Sequence, residues 1–239
     1  MRLDATVGVV IPALDEERAI ARVLADVPDW VDRIVVADNG SSDATRAVAG
    51  AAGAGIVCEQ ERGYGAACLA GIAALGNLDI VVFLDGDYSD HPDEMALLVD
   101  PIATGAADFV VGSRVLGTCE PGALTPQQRY GNWLACRLMR HFWGIAYTDL
   151  GPFRAIRRSA LERLAMADRN YGWTIEMQIR AVEAGLVIRE VPVSYRRRIG
   201  TSKVSGTVKG TILAGSKILA TIARFGIRRG RPQGTEDPV

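Results

Sequence analysis

Short apolar segments alternate with amphipathic ones through the first 112 residues. Apolar strands are predicted at residues 7–11, 34–37, 56–58, 81–84 and 108–112. Between the first two, Ile20, Val23, Leu24 and Val27 repeat with the period of a helix. Strand and helix keep alternating to residue 112, which predicts an α/β fold with a mostly parallel sheet flanked by helices.

The pattern changes after residue 117. Helices are predicted at 127–142, 159–165 and 174–184, a strand at 187–193, and a final amphipathic helix at about 208–225. We expect a single domain from residue 1 to 226, in which residues 1–117 and 118–205 form two halves and residues 206–226 the last helix. A flexible tail is predicted at 227–239.

Acidic residues follow several predicted strands. Asp85-Gly86-Asp87 ends the strand at 81–84, Asp15 and Glu16 follow the first strand, and Asp38 follows the second. The two aspartates around Gly86 would share a face if the strand continued. Parallel strands end at one edge, where α/β sheets bind ligands, and hard cations such as Mg²⁺ take carboxylate oxygens. A plain polar turn would account for any one of these segments.

Composition excludes several other classes of protein. The chain of 239 residues is 49% hydrophobic and 23% charged, which is typical of a folded domain. Its four cysteines are widely spaced, so we expect neither a disulfide framework nor a structural zinc site, and a cytoplasmic location. No signal peptide is predicted, and no run of 18 apolar residues is present.

Basic residues are concentrated near the end of the chain. The net charge is −1, yet residues 196–231 hold ten Lys or Arg and no acid. This predicts contact with an anion, and a solvated helix face is the alternative. Nucleic-acid binding would leave the acidic strand ends unexplained, so we expect none. The last helix is predicted to meet either a membrane surface or the sheet or a second subunit.

Eight short motifs follow one another along the chain. They lie at residues 9–17, 35–43, 63–67, 85–92, 112–114, 148–154, 176 and 200–203. In this order they resemble the family 2 glycosyltransferases of GT-A fold, and are most similar to the polyprenyl-phosphate (dolichyl-phosphate) mannose and glucose synthases. The resemblance covers about residues 6 to 225. It makes the first half of the domain the nucleotide-sugar-binding half and the second the acceptor half.

The resemblance implies an inverting transfer of a hexose from a UDP- or GDP-sugar, with Mg²⁺ or Mn²⁺ as cofactor. It makes Asp85 and Asp87 the metal and diphosphate motif, with Asp87 the direct metal ligand and a catalytic residue. The residues expected to bind the donor are Pro12, Ala13, Asp15, Glu16, Asp38, Gly65, Asp85 and Gly86, among which Asp38 matches the aspartate that contacts the nucleotide base in that family. Many relatives carry a glutamine that helps the metal where this chain has Ser89, a weaker ligand.

The resemblance also implies a set of residues around the acceptor phosphate: Arg114, Arg154, Arg198, Ser202 and Lys203. Guanidinium groups suit phosphate because they bind it bidentately and keep their charge. A phosphate acceptor is already an anionic nucleophile and needs no strong base, whereas a hydroxyl acceptor would need one, which would be Asp149 or Glu176. The catalytic residues expected in the acceptor half are Arg114, Asp149 and Arg154.

The sequence therefore predicts a hexosyltransferase that uses a polyprenyl phosphate, working as a peripheral enzyme on the cytoplasmic membrane face. Two alternatives stay open. The first keeps the donor chemistry and uses a soluble acceptor, either a metabolite hydroxyl or a sugar phosphate. The second is a nucleotide-sugar-binding module without turnover.

Overall fold

The computed structural model describes residues 1–200 and 208–229, and side chains of the last helix at 215–227 only. The strands are β1 (Val7–Ala13), β2 (Arg33–Asp38), β3 (Gly55–Cys58), β4 (Ile80–Phe83), β5 (Phe109–Ser113), β6 (Arg154–Arg157) and β7 (Ile188–Pro192). The helices are α1 (Ile20–Ala25), α2 (Thr45–Ala51), α3 (Tyr64–Leu75), α4 (Met95–Ala103), α5 (Pro126–Trp143), α6 (Arg158–Leu164), α7 (Trp173–Glu183) and α8 (Val208–Arg229). The predicted alternation of strands and helices is confirmed.

The strands form one seven-stranded sheet in the order β3-β2-β1-β4-β6-β5-β7. β1 pairs in parallel with β2 and β4, β2 with β3, and β5 with β7. β6 lies antiparallel between β4 and β5. The α/β class and the mostly parallel sheet are therefore confirmed, and the two halves of the domain contribute strands to the same sheet.

Apolar side chains cover both faces of the sheet. Along β4, Val81 and Phe83 point into a core that includes residues of α3, α5 and α7, while Ile80 and Val82 point into one that includes residues of α1 and α4. This is why the strand is apolar without alternation: a strand buried on both faces has no solvent side.

The acidic turn after β4 differs from the prediction. Pairing of β4 stops at Phe83, and Gly86 and Asp87 already lie in a turn, in which Tyr88 has a φ of +68°. The strand does not continue to Asp87, because the backbone turns at Gly86, so Asp85 and Asp87 do not share a strand face.

Helix ends follow local chemistry. Thr125 and Gln128 form a reciprocal capping box at the start of α5, and Gly144 ends that helix in the left-handed conformation.

α8 extends to Arg229, so residues 227–229, predicted as tail, are helical. Ile222 and Phe225 of α8 are buried, whereas Leu219 and Ile227 are exposed.

Candidate functional site

The first two loops at the carboxyl edge of the sheet are joined by hydrogen bonds. Asp15, which has a φ of +52°, donates its N–H to Ser41 Oγ at 2.9 Å, and its Oδ1 accepts from the N–H of Ser42 at 2.7 Å. The N–H of Glu16 donates to Thr45 Oγ1 at 2.8 Å. The loops after β1 and β2 therefore form one continuous rim.

Asp38, predicted to contact the nucleotide base, ends β2 beside Ala13 of β1. It is buried, and its carboxylate accepts from the N–H groups of Gly40 and Ser41 at 3.2–3.4 Å. Arg46 lies 3.7 Å from Asp38 Oδ2. Asp38 thus shapes its own turn, and contact with a base stays a prediction.

Gly65 is predicted to bind the donor, but contacts within the protein already require a glycine at this position. A Cβ at Gly65 would lie 2.0 Å from the carbonyl oxygen of Asp168, and one at Gly63 would lie 2.0 Å from that of Arg169. Glycine at both positions lets the loop before α7 approach the start of α3. Lys217 of α8 holds the same loop through an ion pair of 3.0 Å with Asp168.

The predicted metal motif lies in the turn of residues 85–90, which passes the end of β1. This turn is named the metal turn after that prediction. An added Cβ at Gly86 would be 3.4 Å from the carbonyl oxygen of Pro12 and 3.6 Å from the Cβ of Ala13. These two residues, predicted to bind the donor, therefore touch the metal turn. Asp85 accepts a hydrogen bond of 3.2 Å from the hydroxyl of Tyr64, and burial together with the charge of Asp87 raises the pKa of Asp85 to about 7.

Asp87 has both carboxylate oxygens engaged. Oδ1 accepts from the N–H and the hydroxyl of Ser89, at 2.9 and 2.5 Å, and Oδ2 lies 3.1 Å from Nη1 of Arg198. Ser89 is fully buried, so its hydroxyl orients Asp87 in this structure.

Asp90 is a residue of this turn that the sequence-based prediction missed. It is 1% exposed, its Oδ2 accepts from the N–H of Asp85 at 3.1 Å, and its Oδ1 has no hydrogen-bond partner in the described part of the chain. Burial, followed by the charge of Asp85, raises the pKa of Asp90 well above its usual value. An aspartate before a His-Pro turn is so common that local sequence gave no sign of its burial.

A segment from the acceptor half runs along the metal turn. The N–H of Arg196 donates to the carbonyl of Ser89 at 3.0 Å, and the N–H of Ile199 to that of Asp87 at 2.9 Å. This pairing brings Arg198 to the metal turn, and its Nη2 donates to Glu16 Oε1 at 2.8 Å. Arg198 therefore connects two loops predicted to bind the donor.

Arg114 and Asp149 form a bidentate ion pair. Nε and Nη2 of Arg114 each donate to the carboxylate at 2.7 Å, and the backbone N–H of Arg114 donates at 2.8 Å. The guanidinium also stacks 4.9 Å from the ring centre of Tyr195. Burial works in the opposite direction, but the charge of Asp149 raises the pKa of Arg114.

Arg154 and Glu176 lie inside the protein. Arg154 is 1% exposed and donates to the carbonyls of Leu150, Gly151 and Thr174. Glu176, also 1% exposed, accepts from the N–H groups of residues 167 and 168 and pairs with Arg180 at 2.8 Å. The hydrogen-bonding groups of both side chains are therefore engaged within the protein. Contact of Arg154 with an acceptor phosphate and action of Glu176 as a base stay predictions.

Ser202 and Lys203, the remaining residues predicted at the acceptor phosphate, lie outside the described residues. Of the predicted set, Arg114, Arg154 and Arg198 are described, and the side chains of Arg114 and Arg198 are the ones that reach solvent, at 12% and 29% exposed. Tyr64 and Tyr195, which contact Asp85 and Arg114, were missed because an aromatic residue beside a glycine or an arginine has no distinctive local pattern.

The carboxylates of the metal turn suit a divalent cation that shares its ligands with a bound anion. Within residues 1–200 and 215–227, no three His, Cys, Asp or Glu side chains are grouped so that they could hold a metal ion by themselves. Asp85 and Asp87 can supply one or two hard oxygen ligands, and Mg²⁺ is commonly bound by that number of carboxylates together with substrate phosphates. These carboxylate ligands therefore fit a cation that is also bound to a diphosphate.

Comparisons with known proteins agree with this geometry. The family model described as Glycosyl transferase family 2 matches residues 8–165. An uncharacterized glycosyltransferase of Mycobacterium tuberculosis is 38% identical over 211 residues, covering 87% of this chain and 94% of that protein. The dolichyl-phosphate hexose transferase of Haloferax volcanii is 32% identical over 212 residues, covering 87% and 91%.

A solved structure shares the fold. Glucosyl-3-phosphoglycerate synthase from Mycobacterium tuberculosis, in complex with Mn²⁺, uridine diphosphate and glucosyl-3-phosphoglycerate, is 26% identical with a TM-score of 0.77. The similarity covers 97% of this chain and 82% of that one. The expected GT-A fold is therefore confirmed.

Proposed function

The chain belongs to glycosyl transferase family 2, and we propose that within it the protein moves a hexose from a UDP- or GDP-sugar to a polyprenyl phosphate, with inversion at the sugar. The observation that carries the proposal is the bridge made by Arg198. This residue of the acceptor half contacts Glu16 at 2.8 Å and Asp87 at 3.1 Å, so donor loop, metal turn and acceptor segment meet at one point.

In the donor half, the rim formed by the loops after β1 and β2 would hold the nucleotide. Asp85 and Asp87 would hold Mg²⁺ or Mn²⁺ bound to the diphosphate. The cation would offset the negative charge that develops on the departing nucleotide. The chain contributes a turn whose carboxylates are held in place by Ser89 and Tyr64.

The state of the carboxylates favours an acceptor that is already ionised. Asp149 is held by Arg114 through two bonds of 2.7 Å, and Glu176 is buried under two N–H groups and Arg180. Neither is placed to remove a proton from a hydroxyl. A phosphate monoester acceptor needs no such base, and Arg114 would orient it.

Apolar residues beside Arg114 favour a lipid as the carrier of that phosphate. Val115 and Leu116, which follow it directly, are 58% and 52% exposed. Tyr130 and Trp133 are exposed on α5, the helix that Asn132 ties to the loop of Asp149. Apolar side chains next to a phosphate-binding arginine suit a prenyl chain or the membrane surface that contains it.

A soluble acceptor, either a metabolite hydroxyl or a sugar phosphate, is the second candidate. It is supported by the similarity to glucosyl-3-phosphoglycerate synthase, whose solved structures contain phosphoglyceric acid. In the described part of the chain, no helix has both the length and the apolar character that crossing a membrane requires.

A donor and acceptor panel tests the proposal. Purified protein with Mn²⁺ is incubated with UDP- and GDP-hexoses, alone, with a polyprenyl phosphate, or with phosphoglyceric acid, and released nucleoside diphosphate is measured. Release that requires the polyprenyl phosphate is the expected result. Release that requires phosphoglyceric acid would favour the second candidate, and binding of a nucleotide sugar without release under any condition would contradict both.

A further inference from the structure

Arg198 lies between two acidic loops, and its guanidinium supplies the positive charge between them. Its Nη2 lies 2.8 Å from Glu16 Oε1 and its Nη1 3.1 Å from Asp87 Oδ2. The side chains of Glu16 and Asp87 are 10% and 7% exposed, so the charges meet largely out of water. Two carboxylates from different loops thus share one guanidinium, which is an arrangement that a metal ion can also satisfy.

The contact at Asp87 leaves no open carboxylate oxygen on that residue. Oδ1 already accepts two hydrogen bonds from Ser89, and Oδ2 faces Arg198. Mg²⁺ binds oxygen ligands at about 2.0–2.1 Å, with a strong requirement on geometry. A guanidinium in contact with the same oxygen would place two positive charges side by side, and they would repel each other.

The guanidinium of Arg198 does not have all of its hydrogen-bond donors satisfied in this position. Nε of Arg198 is buried and has no hydrogen-bond partner among the described residues, and the side chain is 29% exposed. An unsatisfied buried donor is a cost that a better set of acceptors would remove. The backbone beside Arg198 is anchored by the bond of 2.9 Å from Ile199 N–H to the carbonyl of Asp87, so the side chain can move while the segment stays.

We propose that Arg198 is an internal competitor for the metal site: it neutralises Asp87 and Glu16 in the free enzyme, and gives up Asp87 when a divalent cation and the donor diphosphate bind. The released guanidinium then contacts phosphate oxygens. This inference rests on the proposed function and adds an order to it. The metal must bind no later than the donor diphosphate, because only when a cation is on Asp87 is Arg198 available to phosphate oxygens.

The proposal predicts effects of opposite sign in one variant. Arg198→Gln removes the competing charge, so Mn²⁺ alone should bind about tenfold more tightly, as measured by the loss of the free Mn²⁺ signal in electron paramagnetic resonance. The same variant lacks the guanidinium for phosphate, so UDP or GDP should bind about tenfold more weakly at saturating Mn²⁺, as measured by calorimetry. A merely structural role would weaken both.

Arg197→Gln is the matched control. It removes the same charge one residue away, where the guanidinium instead donates to the carbonyl of Pro121. Its Mn²⁺ affinity should stay within about twofold of the wild type, because the charge is not in contact with Asp87. Arg198→Lys serves as a second variant in which the charge is kept, and its Mn²⁺ affinity should lie between those of wild type and Arg198→Gln, because one ammonium group cannot bridge the two carboxylates as a guanidinium does.

Three results would overturn the inference: unchanged or weaker Mn²⁺ binding by folded Arg198→Gln, an equal gain in Arg197→Gln, or a gain that survives when Asp87→Asn is added. The Mn²⁺ measurement needs no nucleotide and no acceptor. Failure of every nucleotide sugar to bind would therefore refute the proposed function while leaving the competition at Asp87 still measurable.

Discussion

The hydroxyl of Ser89 donates to Oδ1 of Asp87 at 2.5 Å, and the N–H of Ser89 donates to the same oxygen at 2.9 Å. Ser89 is fully buried, so water does not compete for these bonds. The sequence suggested Ser89 as a weak metal ligand. In the structure it directs the carboxylate of Asp87 and leaves Oδ2 to face Arg198.

Removing this hydroxyl should loosen Asp87 without removing its charge. For Ser89→Ala we expect kcat/KM to fall about tenfold and the Mn²⁺ concentration for half-maximal activity to rise by a similar factor, since outer partners of a ligand commonly have effects of that size. Stability should fall by about 1 kcal/mol. A titration of activity with Mn²⁺ tests this prediction. Ser159→Ala, at an exposed position of α6, is the control, and an unchanged Mn²⁺ dependence in Ser89→Ala would show that the hydroxyl has no such role.

Asp87 itself should be essential for transfer. Asp87→Asn keeps the size of the side chain but removes the charge that would hold the cation, and we expect kcat to fall at least about a thousandfold. Circular dichroism and the melting temperature should show a folded protein. Asp93→Asn, whose side chain is 67% exposed a few residues away, should keep wild-type activity. Full activity of Asp87→Asn would exclude the metal role.

The pair of Arg114 and Asp149 distinguishes two acceptor chemistries. If Asp149 orients Arg114, then Arg114→Lys and Asp149→Asn should each lower kcat/KM for the phosphate acceptor about a hundredfold, and the double variant should lose little more. If Asp149 is instead a general base, Asp149→Asn alone should remove the fall in rate at low pH, which arises where a base becomes protonated. A double-mutant cycle with steady-state kinetics at several pH values separates the two cases.

Arg154 should affect stability more than acceptor binding. Its buried guanidinium donates to three backbone carbonyls, and burial lowers its pKa. Arg154→Leu leaves those carbonyls without donors, so the free energy of unfolding in urea should fall by about 3 kcal/mol. Arg163→Leu, at an exposed position of α6, should change it by less than about 0.5 kcal/mol. A raised acceptor KM with unchanged stability in Arg154→Leu would restore the predicted contact with phosphate.

Local pattern was enough to predict most of the fold but could not predict the order of its strands. Apolar runs such as that at residues 81–84 predict burial on both faces, and the structure confirms it on β4. The antiparallel position of β6 was not predictable, because hydrophobic periodicity describes which sides of a strand are covered and carries no information about its neighbours.

The residues of the candidate site could likewise be predicted only in part. Arg114, Arg154 and Arg198 are equivalent in a motif-based prediction, yet one pairs with Asp149, one is enclosed by carbonyls, and one bridges Glu16 and Asp87. They differ in how deeply each guanidinium is buried and in which groups it contacts. Both depend on contacts between residues far apart in the chain, such as that between Glu16 and Arg198.

The insertion of β6 between β4 and β5 interlocks the two halves of the sequence. β5 belongs to the first 117 residues, but both of its partners, β6 and β7, come from after residue 150. A fragment ending at residue 117 would therefore contain β5 with no neighbour. Chimaeras that exchange donor and acceptor specificities among relatives should be built by grafting loops at the carboxyl edge, because a crossover between the halves would split the sheet itself.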